Sequence, residues 1–353
     1  MAAWVEGRRL MSTLALAFDL GGTELRGALV ERGGEVVARV SEATLAGAGS
    51  DAVIGQIIAL ADKLLKAHLQ ARVVGIGMCA PGPLDPEAGI VIGPPTLAGW
   101  HNVPLIDILS RQFGLPVRLE NDANAAALGE WRFGAGRGTE SMVFVTVSTG
   151  IGGGVIGDGR IYHGRRGLAA EIGHMTITGE GDRCFCGNIG CFEAVASGTA
   201  LGRRATRLTI AGDGSLLRRL SNDGDVSARH VVEAARAGDA TARALVDAEA
   251  RWLGIGFTNL LHLYSPEVIV MGGGLSNGFD LLAPGIRAAI DERAMAAYRG
   301  VPIVPAELGD RAGLVGAASL ILREGEPGTA LAMVQNEDTR AGGPTGAREA
   351  GHG

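Results

Sequence analysis

One local pattern occurs twice in this chain, and it constrains the fold more than any other feature. An apolar segment at 14–18 runs into the glycine-rich turn DLGGTELRG and on into ALVERGGEVVARV. Further along, the apolar run MVFVTV (142–147) leads into STGIGGG and then VIGDGRI. Each copy reads as strand, tight turn, strand, because the apolar runs are short and the glycines interrupt them at one point. Around the copies lie helical periodicities at 51–69 and 105–113 and further strands at 73–78 and 117–120. Such an α/β alternation with a duplicated unit predicts two related lobes facing a cleft, with ligands bound where the two turns converge.

The boundaries follow from where this patterning starts and stops. Residues 1–11 precede the first strand and read as a disordered leader, with Met11 an alternative start. Residues 12–122 are expected to form a smaller α/β lobe, completed by a C-terminal helix at 310–323. Residues 123–309 form a larger lobe that carries a cysteine-rich loop. In it, the apolar run 239–264 is one helix or two abutting ones, Pro266 closes it, 268–271 is a strand and Gly272-Gly273-Gly274 a turn. Residues 324–353 lose the apolar pattern and are expected to be a disordered tail.

The 353-residue chain is long enough for two domains. A net charge of −6 and only 4% aromatic residues argue against a nucleic-acid partner. The most apolar candidate for a membrane span, 252–266, is short and carries Asn259 and His262, so a cytoplasmic protein is expected.

His174, Cys184, Cys186 and Cys191 (GHMTI, then CFCGNIGC) supply three thiolates and an imidazole within 18 residues. That is a complete tetrahedral set for zinc, and with four protein ligands the metal is structural. The alternative, a Cys-x-Cys disulfide, is strained and out of place in a reducing compartment. Cys79 reads as a small buried side chain. Glu171 and Glu193 bracket the cluster, so the metal would hold two carboxylates in place to grip a polyhydroxylated ligand.

The turns carry the remaining chemistry. Gly21 and Gly22 leave backbone N–H groups open to phosphate oxygens, Thr23 adds a hydroxyl, and Asp19 at the strand end is placed to hold magnesium. Ser148, Thr149, Gly150 and Gly152 repeat that chemistry, which fits two clamps on a nucleotide's phosphate chain. Neither turn is a Walker loop or a GxGxxG dinucleotide motif. In LENDANAAALGE, Asp122 stands at the start of a strongly helical stretch. It is either a helix cap or a base that accepts a proton from an attacking hydroxyl, and the two roles are compatible.

In their order, DLGGTELR, LENDANAAALGE, VSTGIGGG, EIGH, CFCGNIGCFE and VMGGGL resemble the ROK family (repressor, open reading frame, kinase) of sugar kinases and sugar-responsive repressors. The resemblance covers about 14–323. It implies a two-lobed actin-like ATPase fold of the ribonuclease H-like, hexokinase type, and transfer of phosphate from Mg-ATP to the 6-hydroxyl of a hexose. Asp122 would be the catalytic base. Gly82, Asn102, Asn121, Glu171, His174 and Glu193 would contact the sugar, and Gly198 (beside Ser197 and Thr199), Gly272, Gly273 and Gly274 the adenosine. Glucose is the favoured sugar, N-acetylmannosamine and N-acetylglucosamine the alternatives. A homodimer, or a tetramer, is implied. Regulators of this family carry an added N-terminal DNA-reading module. Only about a dozen residues precede the first strand here, against the size of a helix-turn-helix, so catalysis is expected over a non-catalytic regulatory role.

Overall fold

The computed structural model describes residues 13–69, 72–210, 215–222 and 224–322. The expected leader at 1–11 and tail at 324–353 lie outside them.

The first copy of the repeated pattern opens a five-stranded sheet. Strands β1 (Thr13–Leu20), β2 (Glu24–Glu31) and β3 (Val36–Ala43) form an antiparallel meander. β4 (Arg72–Ala80) joins β1 in parallel and β7 (Val117–Asn121) joins β4, giving the order β3-β2-β1-β4-β7. A two-stranded hairpin of β5 (Leu84–Asp85) and β6 (Ile90–Val91) follows β4. The burial of each strand matches its place. β1 is central and buried on both faces, whereas the edge strand β3 alternates in and out of water. Helices α1 (Ser50–Ala67) and α2 (Leu105–Phe113) cover one face, burying Ile57, Leu60, Leu64 and Leu109 against Leu16, Phe18 and Met78. Gly114, in the left-handed conformation (φ 63°), ends α2.

After α3 (Asp122–Phe133) the second copy opens another sheet. β8 (Met142–Val147), β9 (Ile151–Gly157) and β10 (Arg160–Ile161) pair antiparallel, and β11 (Val268–Gly272) and β12 (Ile303–Pro305) add in parallel, giving β10-β9-β8-β11-β12. Between β10 and β11 run α4 (Phe192–Ala196), α5 (Gly198–Ile210), α6 (Ser215–Leu220), α7 (Ala228–Arg236) and α8 (Ala240–Tyr264). Helix α9 (Phe279–Arg293) follows β11. The apolar run at 239–264 is thus a single helix. The Asp239 side chain caps it by accepting from Ala242 N–H at 2.8 Å, and Ser265 ends it in the left-handed region before Pro266. Its buried face (Leu253, Phe257, Leu260, Leu261) forms the larger core with Phe192, Val145 and Ile269.

Two helices exchange between the sheets. α3, which follows the last strand of the first sheet, packs on the second: Gly154 of β9 lets Ala127 and Asn124 approach its backbone. α10 (Ala312–Ser319), which follows the last strand of the second sheet, packs on the first: Leu314 and Ala317 are buried with Ala15 and Ala17. α10 is shorter than the stretch expected at 310–323, because 309–311 form a 3-10 turn instead. The helices cross where Gly129 and Gly316 remove side chains; a Cβ on Gly129 would sit 2.6 Å from the Ala312 carbonyl. Glu130, fully buried, secures the crossing by accepting from Leu308 N–H at 2.7 Å and Ala135 N–H at 2.9 Å. Among the described residues no helix is long and apolar enough to cross a membrane.

Candidate functional site

Asp122 lies where the first sheet passes the chain to the helix of the second. The two roles open to it divide between neighbours. Asn121 is the N-cap of α3, its Oδ1 accepting from Ala123 N–H at 2.9 Å and Asn124 N–H at 3.2 Å. Asp122 is the first helical residue; its Oδ1 accepts from Ala123 N–H at 2.8 Å, and the side chain is open to water. Protein atoms packed around the carboxyl still desolvate it. Desolvation is the main cause that raises its pKa to about 6, with Asp19 and Glu171 adding repulsion. A carboxylate poised there accepts a proton at neutral pH better than an ordinary aspartate.

Asp19, one residue before the end of β1, lies opposite Arg26 of β2 and Cys79 of β4. Arg26 Nη1 lies 3.3 Å from its Oδ2, and the Cys79 thiol donates to its Oδ1 at 3.4 Å. Cys79 is buried as expected, and it also restrains this carboxylate. Burial pushes the Asp19 carboxyl up while Arg26 pulls it down. Gly21 N–H closes the turn on Glu24 O at 2.9 Å. A Cβ on Gly22 would lie 2.7 Å from Thr96, so the loop after β6 leans on this turn, and Thr23 is exposed at its tip.

The second turn is braced from outside. Ser148 O accepts Gly198 N–H at 2.8 Å, and Glu193 Oε2 accepts Ile151 N–H at 3.0 Å. A Cβ on Gly150 would collide with that Glu193 oxygen. Thr149 is exposed, while Gly152 faces Ala123 at the head of α3. Beside the turn opens a cavity of 970 Å³ lined by Ser148, Thr149, Gly198, Thr199, Gly274 and Leu275, with α7 and Asp225–Ser227 residues as its far wall. Of the three glycines at the end of β11 and just beyond it, Gly274 lines this cavity. Gly272 packs on the Phe144 ring and Gly273 (φ 83°) on the Val147 backbone, so those two serve close strand packing. Arg203, Arg207, Arg229 and Arg236 also line the cavity, a basic rim with no counterpart as a run in the sequence. Asp182 pairs with Arg203 and Arg207, and Asp280 with Arg236.

The metal set assembles as expected. One ligand atom from each of His174, Cys184, Cys186 and Cys191 lies within 4.8 Å of all the others. Cys186 Sγ is 3.6 Å from Cys191 Sγ, and Cys184 Sγ is 3.6 Å from His174 Nδ1. Zinc–sulfur bonds of about 2.3 Å at tetrahedral angles put sulfurs about 3.8 Å apart, so the donor set fits zinc. All four cysteines are free thiols. Gly187 (φ 92°) and Gly190 (φ 77°) allow the loop to fold back, and a Cβ on Gly190 would strike the Thr178 carbonyl. Glu171 leads the 3-10 turn Ile172–His174, which sits on β9.

Gly82 reaches the Asp122 corner, since a Cβ there would lie 3.4 Å from Asn121 Nδ2. Asn102 (φ 50°) is exposed in the loop before α2, with its N–H on Ile92 O at 3.0 Å. Sequence reasoning passed over Glu120, Asn124 and His163. Glu120 is 2% exposed and bonds both others, at 3.0 Å to Asn124 Nδ2 and 2.6 Å to His163 Nε2. A glutamate breaking the buried strand VRLEN was the signal available.

The family model of the ROK family matches residues 15–324. A glucokinase of Thermotoga maritima is 38% identical over 308 residues, which span 87% of this chain and 96% of the relative. Among solved structures, a ROK family glucokinase from Streptomyces griseus in complex with glucose and AMPPNP superposes with a TM-score of 0.75 at 34% identity, covering 87% of this chain and 99% of that one. A ROK family transcriptional regulator, a homologue of the E. coli MLC protein, superposes with a TM-score of 0.81 at 31% identity, covering 88% and 78%.

Proposed function

The chain belongs to the ROK family and has its two-lobed, actin-like fold, and we propose that it is an ATP-dependent kinase that phosphorylates the 6-hydroxyl of a hexose. Asp122 carries the proposal. It is a carboxylate with a pKa near 6, facing Asp19 of one turn and Glu171 of the metal-ordered region. The lobes are divided as 12–122 with 310–323, and 123–309, so that Asp122 stands at their junction.

In this reading the sugar lies against Asn121, Glu171, His174 and Glu193, whose carboxylates accept and whose amide and imidazole complete the hydrogen bonds of its hydroxyls. Asp122 takes the proton of the 6-hydroxyl as that oxygen attacks the terminal phosphorus. Backbone N–H groups at 22–23 and 149–150 approach the phosphates, and adenosine occupies the cavity beside Gly198 and Gly274. Asp19 would hold magnesium. A lone carboxylate suits an ion that keeps most of its waters, and its charge would offset that of the phosphates. His174, Cys184, Cys186 and Cys191 would hold structural zinc, which fixes Glu171 and Glu193 relative to each other.

Glucose is the favoured substrate, since relatives from Thermotoga, Halalkalibacterium and Streptomyces at 35–38% identity are glucokinases. A bifunctional NanE/NanK enzyme of Brucella melitensis, 37% identical over 319 residues, keeps N-acetylmannosamine as the second reading. Coupled ADP release, measured with glucose, mannose, fructose, N-acetylglucosamine and N-acetylmannosamine, decides between them. A dominant rate with glucose supports the proposal, a dominant rate with an N-acetylhexosamine replaces the substrate, and no sugar-dependent ADP rejects the kinase.

A further inference from the structure

Glu120 is a buried carboxylate that the mechanism above does not use. Burying a charge is costly unless it is fully bonded, and this one is. Its Oε1 accepts Asn121 N–H at 2.9 Å and Asn124 Nδ2 at 3.0 Å, and its Oε2 meets His163 Nε2 at 2.6 Å. The first two contacts hold the corner that presents Asn121 and Asp122. The third reaches a different element, because His163 begins the loop between β10 and the 3-10 turn of Glu171 and His174. The His163 carbonyl accepts Ala169 N–H at 3.2 Å, closing that loop two residues short of Glu171.

We infer that Glu120 is a positioning residue that ties the Asp122 corner to the Glu171 loop, with His163 as its far anchor; the inference rests on the kinase reading of that site. A hydrophobic residue would fill the end of β7 at lower cost. A carboxylate there shares its surroundings with Asp19 and Asp122: the Cys79 thiol between them is pushed up by burial first, with Asp19, Asp122 and Glu120 adding repulsion. The imidazole of His163 is the partner of Glu120 from the other element: Nε2 lies 2.6 Å from Glu120 Oε2, and the hydrogen bond to Glu120 is the chief cause that raises the His163 pKa. The brace sets the distance between the base and the carboxylate that reads the sugar, and an error of about 1 Å there costs up to about 100-fold. Arg166 of the same loop also touches the first lobe, at 3.5 Å from Asp85, but it is 63% exposed and serves as the control.

The test compares wild type, His163→Ala, His163→Gln, Glu120→Gln and Arg166→Ala in steady-state kinetics, with glucose binding followed by calorimetry and folding by thermal melting. His163 is half-exposed, so its variants are expected to fold. The expected result for His163→Ala is a loss of about 10- to 100-fold in kcat/KM for the sugar, weaker glucose binding and an unchanged KM for ATP. His163→Gln, which keeps an N–H donor in reach of the carboxylate, recovers most of the loss, and Arg166→Ala behaves as wild type. An active wild type whose His163→Ala variant matches it in kcat/KM and glucose binding overturns the inference alone. So does a loss that raises the KM for ATP equally, or one that His163→Gln does not relieve. A wild type that neither turns over nor binds any sugar overturns the kinase reading, and this inference with it.

Discussion

The two glycine-rich turns begin alike and are supported differently. The turn after β1 is self-contained: its acid Asp19 is the last polar residue of its own strand, and its cation Arg26 comes from the returning strand. The turn after β8 has no acid of its own. It is braced by Glu193, whose Oε2 takes Ile151 N–H, and α4, which carries Glu193, begins directly after Cys191 of the Cys/His cluster. One turn therefore depends on local sequence and the other on a residue 42 positions away, beside the cysteine-rich loop. The same strand–turn–strand pattern occurs twice, and the long-range contact ties one copy to the loop that carries Cys184, Cys186 and Cys191.

The largest effect is expected at the point both turns face. Asp122→Asn removes the base without changing shape and should lower kcat by about 10²–10⁴-fold, while calorimetry still detects glucose binding; a variant with wild-type turnover removes Asp122 from the chemistry. Next comes Gly150→Ala, whose new methyl displaces the Glu193 carboxylate. It should raise the KM values for both ATP and sugar by about 10-fold or more, and an increase confined to ATP would uncouple the two sites. Removal of zinc, by chelation or by Cys186→Ser, should do the same to a similar or smaller degree, about 10-fold, with the metal followed by elemental analysis. A zinc-free protein with full activity would break the proposed dependence of the second turn. The smallest effect is expected in the self-contained turn. Arg26 is partly exposed, and such pairs contribute about 1 kcal/mol or less, so Arg26→Leu should raise the KM for Mg-ATP about fivefold at most and leave the sugar KM alone.

This contrast also explains what could be read before the structure. The zinc ligands fall within 18 residues and the turns are continuous in sequence, so their chemistry is visible as spacing. The end of β7 and the start of α3 were legible too, but which neighbour caps the helix was not. Asn121 and Asp122 are both good caps, and only the backbone direction assigns the role to Asn121. The contacts that escaped join distant segments: Cys79 to Asp19 across 60 residues, Glu120 to His163 across 43, and the α7 wall of the cavity beside the second turn. Gly272 and Gly273 carry a packing demand that the glycine run did not reveal: an added Cβ would meet the Phe144 ring at Gly272 and the Val147 backbone at Gly273.

The account stands on Asp122 acting as a carboxylate base with a raised pKa, and the pH dependence of kcat/KM for glucose tests that most directly. The base works when deprotonated, so with a pKa of about 6 the rate should be flat above pH 7 and fall about tenfold per pH unit below 6. It should do so with the protein still folded by circular dichroism. A profile that stays flat down to pH 4.5 would contradict the assignment.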